Sequence, residues 1–502
     1  MTISRTLPLA TWLALSIVVP AGATAKEDLS APLPAADGDV PPPSPKAAGT
    51  AGETESEALP SLSDGDPLPK LEDAAGLPSI GADDNAGPGS LKAPPSSSRL
   101  RGFVQQDIAY TYADPAHFST ANLRVQVGSS GQWSPNLKWK ATLRGEVDPV
   151  YAWLDYYPDT VRNDQRFYGL IGETYVDTAV RGWDLRLGRQ NIVWGEMVGL
   201  FFADVVTAKD LRSFVLPSFD LIRIPQWAIR GEHFMGDSHL ELLWIPYTSF
   251  DRISKPGAEF YPLQGHGPAG FTQVFRDDTA PARSISNSNV GARYSTLMNG
   301  WDWSAFYYRS MDSAATFARD IVPTGPSSGT IIYTPRHDRI WQAGGTVSKD
   351  FGDAGIFKSE VVYTSGRSFN VSRLSQSQGL VEKDTIDAAV GIDYTLPADT
   401  RLNVQLFERM YMSHDSDMFQ ERFETGASVL INRKFQQKLE GEFLWIQSLN
   451  RWENLIRPRL IWRPEQNLRV YFGIDIFNGP DTGVFGRFRD RDRLYAELRY
   501  DF

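Results

Sequence analysis

The chain has 502 residues, a formal net charge of −11 and no cysteine. The missing cysteine excludes disulfides, thiolate metal sites and a cysteine nucleophile, and the acidic balance gives no reason to expect a nucleic-acid partner. Apart from the extreme N-terminus, no window approaches the roughly 20 apolar residues of a membrane-crossing helix.

In chain order, the first element is "MTISRTLPLATWLALSIVVPAGATA". Arg5 supplies a positive start, Leu7 to Val19 a short apolar stretch, and Ala23-Thr24-Ala25 a small-residue cleavage pattern. This reads as a secretory signal peptide over 1–25, which sends the chain out of the cytoplasm. Residues 26–97 contain no Phe, Tyr or Trp and carry 13 acids against 4 lysines. Such a Pro-, Ala- and Ser-rich segment buries too little apolar surface to offset the entropy of ordering. A disordered, acidic periplasmic linker is expected there.

From Ser98 onward aromatic residues become frequent and the pattern takes period two. In "RLYAELRYDF", Leu494, Ala496, Leu498, Tyr500 and Phe502 alternate with Arg493, Tyr495, Glu497, Arg499 and Asp501. Successive side chains of a strand point to opposite faces. Runs of this kind predict about eighteen strands near 99–112, 119–130, 136–148, 165–178, 182–190, 222–234, 238–247, 288–298 and 300–311. The series continues near 338–350, 356–366, 384–395, 400–412, 422–433, 437–447, 453–463, 466–476 and 490–502. Tight turns such as Asn299-Gly300 alternate with long links near 191–221, 248–287, 312–337, 367–383 and 477–489. Short turns on one rim and long loops on the other mark a transmembrane antiparallel outer-membrane β-barrel of 16–18 strands, here over 98–502. A soluble sandwich would not need such continuity of strands, and a propeller would show a blade repeat that is absent. Several tryptophans, among them Trp139, Trp183, Trp303 and Trp462, fall near strand ends, where an interfacial belt would place them.

The link 191–221 contains "LFFADVVTAKDLRSF", in which Phe201, Val205, Val206, Ala208, Leu211 and Phe214 form a rough helical stripe. So apolar a helix would not rest in open water. The expectation is a loop folded inward to constrict a pore, with Arg189, Trp194, Glu196, Asp204, Asp210 and Arg212 at the constriction. The alternative is a lid packed on other external loops.

Inward positions are rich in cations: Arg124, Lys138, Lys140 and Arg144 on early strands, then Arg457, Arg459, Arg463, Arg469, Arg493 and Arg499 on late ones. They form either a basic track that concentrates an anionic solute or a ladder of Arg–carboxylate pairs bracing the wall with Glu440, Glu442, Asp475, Glu497 and Asp501. Glu360 and Lys358 make a similar pair elsewhere. Both readings stay open at the level of sequence.

The stretches "LGRQNIVWGE", "LFFADVVTAKDLRSF" and "IRIPQWAIRGEHF" resemble a proteobacterial family of outer-membrane barrels of unknown function, distantly similar to alginate-export barrels. The likeness rests on Gly188, Arg189, Gln190, Trp194, Gly195, Glu196, Asp204, Asp210, Leu211, Arg212, Arg223, Ile224 and Pro225, and its specific part covers about 50 residues. It implies envelope transport of hydrophobic or amphipathic compounds, coupled to an inner-membrane exporter; the long acidic segment departs from it. The C-terminal Phe502 resembles the signature read by barrel-assembly machinery, and lipid and lipopolysaccharide are the expected surroundings. The leading expectation is a channel or transport barrel for small anionic or amphipathic compounds, with no cofactor or metal. Its rivals are a structural or adhesive barrel and, less favoured, a barrel enzyme, since none of the six histidines has a serine motif beside it.

Overall fold

A computed structural model describes residues 99–197, 202–263 and 269–502; the predicted signal peptide and linker, Phe201 and His266 lie outside the described residues. The barrel strands are numbered in chain order. They begin with β1 Arg99–Thr111, β2 Leu123–Ser134, β3 Leu137–Val147, β4 Phe167–Val180, β5 Trp183–Gln190 and β6 Gln226–Met235. Next come β7 Ser238–Tyr247, β8 Asn289–Met298, β9 Trp301–Met311, β10 Arg339–Asp350, β11 Ile356–Asn370 and β12 Leu380–Leu396. The last six are β13 Thr400–Tyr411, β14 Phe423–Gln436, β15 Leu439–Ser448, β16 Asn454–Glu465, β17 Leu468–Asn478 and β18 Arg493–Asp501.

Each strand pairs antiparallel with its neighbour in this series, and β18 returns to β1, with Phe103 opposite Asp501 and Thr111 opposite Arg493. The eighteen strands therefore close without an edge. Closure is what a bilayer demands, because it leaves no backbone group unpaired. Alternation sorts the side chains: on β13, Leu406 is 52 % exposed on the outer wall while its neighbour Phe407 is 2 % exposed inside. Outward aromatics gather in two belts. Trp133, Trp303, Phe435 and Trp462 lie toward the short turns, and Phe167, Trp227, Trp244 and Trp341 toward the long loops. Rings with one apolar and one polar side suit the two membrane interfaces.

The tight turns are made by residues that accept left-handed backbone. Arg181-Gly182 and Asn299-Gly300 have φ of +53° and +81°, and +55° and +74°. Positive φ at both central residues gives the two-residue turn whose twist matches paired strands.

Two expectations about the long links need correction. The links 312–337 and 248–287 are not bare loops. Thr316–Gly325 and Ser328–Arg336 form a hairpin, and Phe271–Phe275 joins it in parallel. This small sheet shares a core with Tyr151, Tyr157 and Val161 from the β3–β4 link and Tyr261 from the β7–β8 link. The long loops therefore pack on one another as a cap. The predicted link 367–383 is also shorter, because β11 and β12 continue past the expected rim to Asn370 and Leu380.

Candidate functional site

The β5–β6 link begins at Asn191 and returns at Gln226. The helical stripe expected within it does not form. Among the described residues of the link, Ala208–Lys209 pairs with Arg223–Ile224, Asp210 bridges to Arg252, and Phe219–Ile222 makes one helical turn; the rest of 202–218 is irregular. Its apolar side chains are buried on both sides of the chain rather than along one stripe, so extended backbone serves better than a helix.

Those contacts trace the path. Ile192, Trp194, Ala203 and Val206 pack on Leu243 and Ile245 of β7, Phe306 and Tyr308 of β9 and Val362 of β11. Met197, Phe202, Phe214 and Leu216 pack on Phe407 of β13, Ile446 of β15, Leu455 of β16 and Phe477 of β17. These partners are inward residues from opposite sides of the barrel, so the segment crosses the interior. Phe214 has φ of +55°, a costly conformation for a bulky residue. Its ring is held against those of Phe477, Phe485 and Phe488, at centroid distances of 6.2, 6.0 and 5.1 Å.

Polar groups fasten the same segment. Trp194 Nε1 donates to Glu241 Oε1 at 3.1 Å. Glu196 accepts from Thr346 Oγ1 at 2.9 Å and lies 3.8 Å from Arg293. Glu360 of β11 accepts from the backbone N–H groups of Glu196, Met197 (2.8 Å) and Ala203 (3.1 Å). Gly195 permits this approach, since a Cβ there would stand 3.2 Å from Glu360 Oε1 and 3.0 Å from the Asp204 nitrogen. That gives the Trp-Gly-Glu run a physical meaning. Lys358, expected beside Glu360, pairs instead with Asp393 at 3.0 Å.

Asp204 is buried and takes a hydrogen bond from Arg223 Nε at 3.2 Å. Asp210 and Arg212 form a two-point pair at 2.8 and 2.7 Å, and the guanidinium lies 4.2 Å over the ring of Tyr168. Burial pushes the Asp210 carboxyl up, but the Arg212 charge more than offsets it and holds the group below its ordinary value. The structure thus brings Trp194, Glu196, Asp204, Asp210 and Arg212 onto one segment inside the barrel. Arg189 differs. It shares register with Thr174 and with Trp227, which is exposed on the outer wall, and its Nε donates to the Pro225 carbonyl at 3.2 Å. It ties the end of β5 to the start of β6 rather than facing a conduit.

The inner wall is a ladder of ion pairs. Arg124 bonds Asp107 and Glu146 at 2.9 and 3.0 Å, Lys140 bonds Glu173 at 2.8 Å, and Arg144 lies 3.2 Å from Glu146. Arg144 also donates to the Leu221 carbonyl at 3.1 Å, joining the wall to the crossing segment. Asp475 takes Arg457 at 2.7 Å and Arg493 at 2.8 Å. Arg459 pairs with Glu442 at 2.8 Å and Arg463 with Glu440. Arg469 and Arg499 both meet Asp501. Lys138 alone of the ten cations lies exposed near the short-turn rim. With nine of ten cations matched by acids, the bracing ladder describes the wall better than an unbroken basic track.

Between wall and segment lie small cavities. One of about 70 Å³ is lined by Arg124, Glu146, Tyr168, Asp210, Arg212 and Arg493. Another of about 50 Å³ is lined by Asp204, Lys209, Asp251, Asp312, Arg367 and Arg409. Each has room for a few waters only. Glu232, His239 and Glu241 approach one another on β6 and β7. Arg230 already sits among them, 2.5 Å from Glu232 and 3.4 Å from Glu241, so one guanidinium is shared by both carboxylates.

At the loop rim, His117 and Glu259 lie 3.0 Å apart beside Tyr157, whose hydroxyl donates to Glu259 at 2.8 Å. Burial lowers the His117 value, but Glu259 more than offsets this and raises it above the ordinary histidine range. Burial raises Glu259, but His117, Arg491 and Thr111 together bring it below the ordinary carboxylate range. A raised histidine stabilises below its unfolded value and loses that contribution as pH climbs through the folded one. A depressed carboxylate stabilises above its unfolded value and loses that as pH falls through the folded one. The pair therefore holds the cap best at about pH 5–6. Limited proteolysis of links 112–122 and 248–263 is expected to be slowest there and to quicken toward about pH 8, with His117→Gln flattening the profile; equal rates across that range would remove this role.

No known protein family and no curated protein matches the sequence. Solved structures similar to it are barrels. OccAB3 of Acinetobacter baumannii is 11% identical, with 81% of this chain and 99% of that one covered and a TM-score of 0.45. OpdK of Pseudomonas aeruginosa, solved with vanillate, is 10% identical over 80% and 98%, with a TM-score of 0.43. OmpF of Salmonella typhi, in complex with daunomycin, is 9% identical over 81% and 97%, with a TM-score of 0.39. Likeness at this level carries no argument about function, and the barrel stands on its own strand pairing.

Proposed function

We propose that the protein is an outer-membrane channel or transport barrel passing small anionic or amphipathic compounds, its conduit set by the segment 191–221. The observation that carries this reading is the segment's course through the barrel. Eighteen strands enclose a lumen too wide for their own side chains to fill, and here the segment packs within it together with Phe260, Phe485 and Phe488 of other loops. A bacterial outer-membrane location with both termini in the periplasm follows from the same reading. So does engagement of an inner-membrane exporter or periplasmic protein through residues 26–97. Export of amphipathic compounds is part of the same proposal, taken from the likeness read in the stretch Gly188 to Pro225 and not from any matching family. In that frame the Trp-Gly-Glu and Asp-Leu-Arg runs are the loop's anchors.

Arg212 is the cation of the segment best placed to select charge, because it lies against the wall cavity, paired with Asp210 and near Glu146. Arg212→Ala is expected to shift the anion-to-cation permeability ratio about twofold toward cations, read as reversal potential across a planar bilayer under a salt gradient. An unchanged ratio would take Arg212 out of the conduit. The packed cap of long loops favours a second reading, a structural or adhesive barrel. That reading predicts no current from parent or loop-deleted protein alike.

A further inference from the structure

The outer wall carries a groove of about 920 Å³ across β14 to β18 and β1. One line of residues in register runs along it, from Arg433 through Gly441, Leu460, Phe472 and Ala496 to Ile108. Six strands about 4.8 Å apart make such a line about 24 Å long. With strands tilted by about 35–45°, such a line climbs roughly 15 Å through an apolar band about 25 Å tall. The groove is concave for a simple reason. Pro458 and Ala496 have short side chains on the outward face, the Phe435 ring lies over Gly441, and Phe443 and Leu494 stand up beside them.

One end of this apolar groove holds a charge. Arg433 has the outward parity of its exposed neighbours Ile431 and Phe435. It lies four residues before the short turn Gln437–Lys438. Its guanidinium is 5.8 Å from the Phe435 ring, and among the described residues it has no ion pair and no side-chain hydrogen bond. A guanidinium on a lipid-facing wall is costly unless something anionic meets it at the interface. The inner ladder uses carboxylates for this; the outer wall at Arg433 offers none.

We propose that this groove binds a glycerophospholipid of the leaflet at the short-turn rim. Its phosphate sits on Arg433, where a planar fork of donors matches phosphate oxygens, and one acyl chain lies beyond the Phe435 ring along Leu460, Phe472 and Ala496. The proposal is independent of what passes through the interior.

The probe is palmitoyl-oleoyl phosphatidylglycerol, titrated onto the full chain in dodecyl maltoside and read by native mass spectrometry. About one lipid per barrel is expected to survive gas-phase activation. Arg433→Gln is expected to weaken retention about tenfold. Ala496→Phe, which fills the groove away from the guanidinium, is expected to abolish it, and an unchanged heat-modifiable gel shift shows both variants folded. Equal retention by parent and both variants would overturn the site. So would loss in Arg433→Gln alone, which leaves only a headgroup contact. Displacement of the phospholipid by lipopolysaccharide, or a dimer mass in place of lipid, would assign the groove to another occupant.

Discussion

Glu360→Ala is expected to release the segment around residues 195–203 and raise single-channel conductance severalfold, without loss of the barrel. Glu360 is 2 % exposed and accepts three backbone N–H groups of the crossing segment, those of Glu196, Met197 and Ala203. Hydrogen bonds to a charged group contribute about 1.5–3 kcal/mol each, and donors left buried without an acceptor cost about 1–3 kcal/mol more. Alanine removes all three acceptor contacts at once, so the segment loses several kcal/mol of tethering. The pairing of β11 with β10 and β12 runs through backbone groups and does not depend on this carboxylate. Bilayer conductance and protease cleavage after residue 194 should rise together. Glu360→Gln keeps one acceptor oxygen and should fall between parent and alanine. Parental conductance and parental protease resistance in Glu360→Ala would show that the segment is held by its apolar contacts alone.

The largest stability effect is expected at Asp475, which is fully buried and holds two guanidiniums. Arg457 and Arg493 come from the strands on either side, β16 and β18, and Arg457 also donates to the Leu216 carbonyl at 2.9 Å. One carboxylate thus locks three strands and the crossing segment. Breaking a buried pair by removing one partner costs about 3–5 kcal/mol, because the other charge stays behind. Here two cations stay behind. Asp475→Asn is expected to lower the heat-modifiability midpoint by on the order of 10 °C. The pair Arg489–Asp481, whose side chains are 52 and 69 % exposed, is the control, worth at most about 1 kcal/mol. Equal midpoints for Asp475→Asn and Asp481→Asn would contradict the bracing ladder.

The barrel was legible because its strands meet two solvents. Lipid outside and polar groups inside write a period of two into every span, and β13, expected at 400–412, is Thr400–Tyr411. The facing of the wall cations followed from the same period. Their pairing did not, because Lys358 meets Asp393 across one strand boundary while Glu360, two residues on, meets a loop more than 150 positions earlier. Arg189 was misplaced by its company in a motif, although its own parity with Trp183, Leu185 and Leu187 points outward. The loops were least legible. The stripe from Phe201 to Phe214 suggests a helix, but a chain crossing a lumen is apolar on every side, and helical spacing then arises by composition alone. The hairpin Thr316–Gly325 and Ser328–Arg336 was hidden because it packs on loops rather than lipid, so no strict alternation was required of it.

The most direct test of the account is conductance of the purified full chain in a planar bilayer beside a variant in which 194–216 is replaced by a short Gly-Ser linker. The account predicts small or intermittent current from the parent and a steady, several-fold larger current from the variant, with the same heat-modifiable shift for both. Absence of current from a folded, loop-deleted barrel would contradict a conduit through its interior.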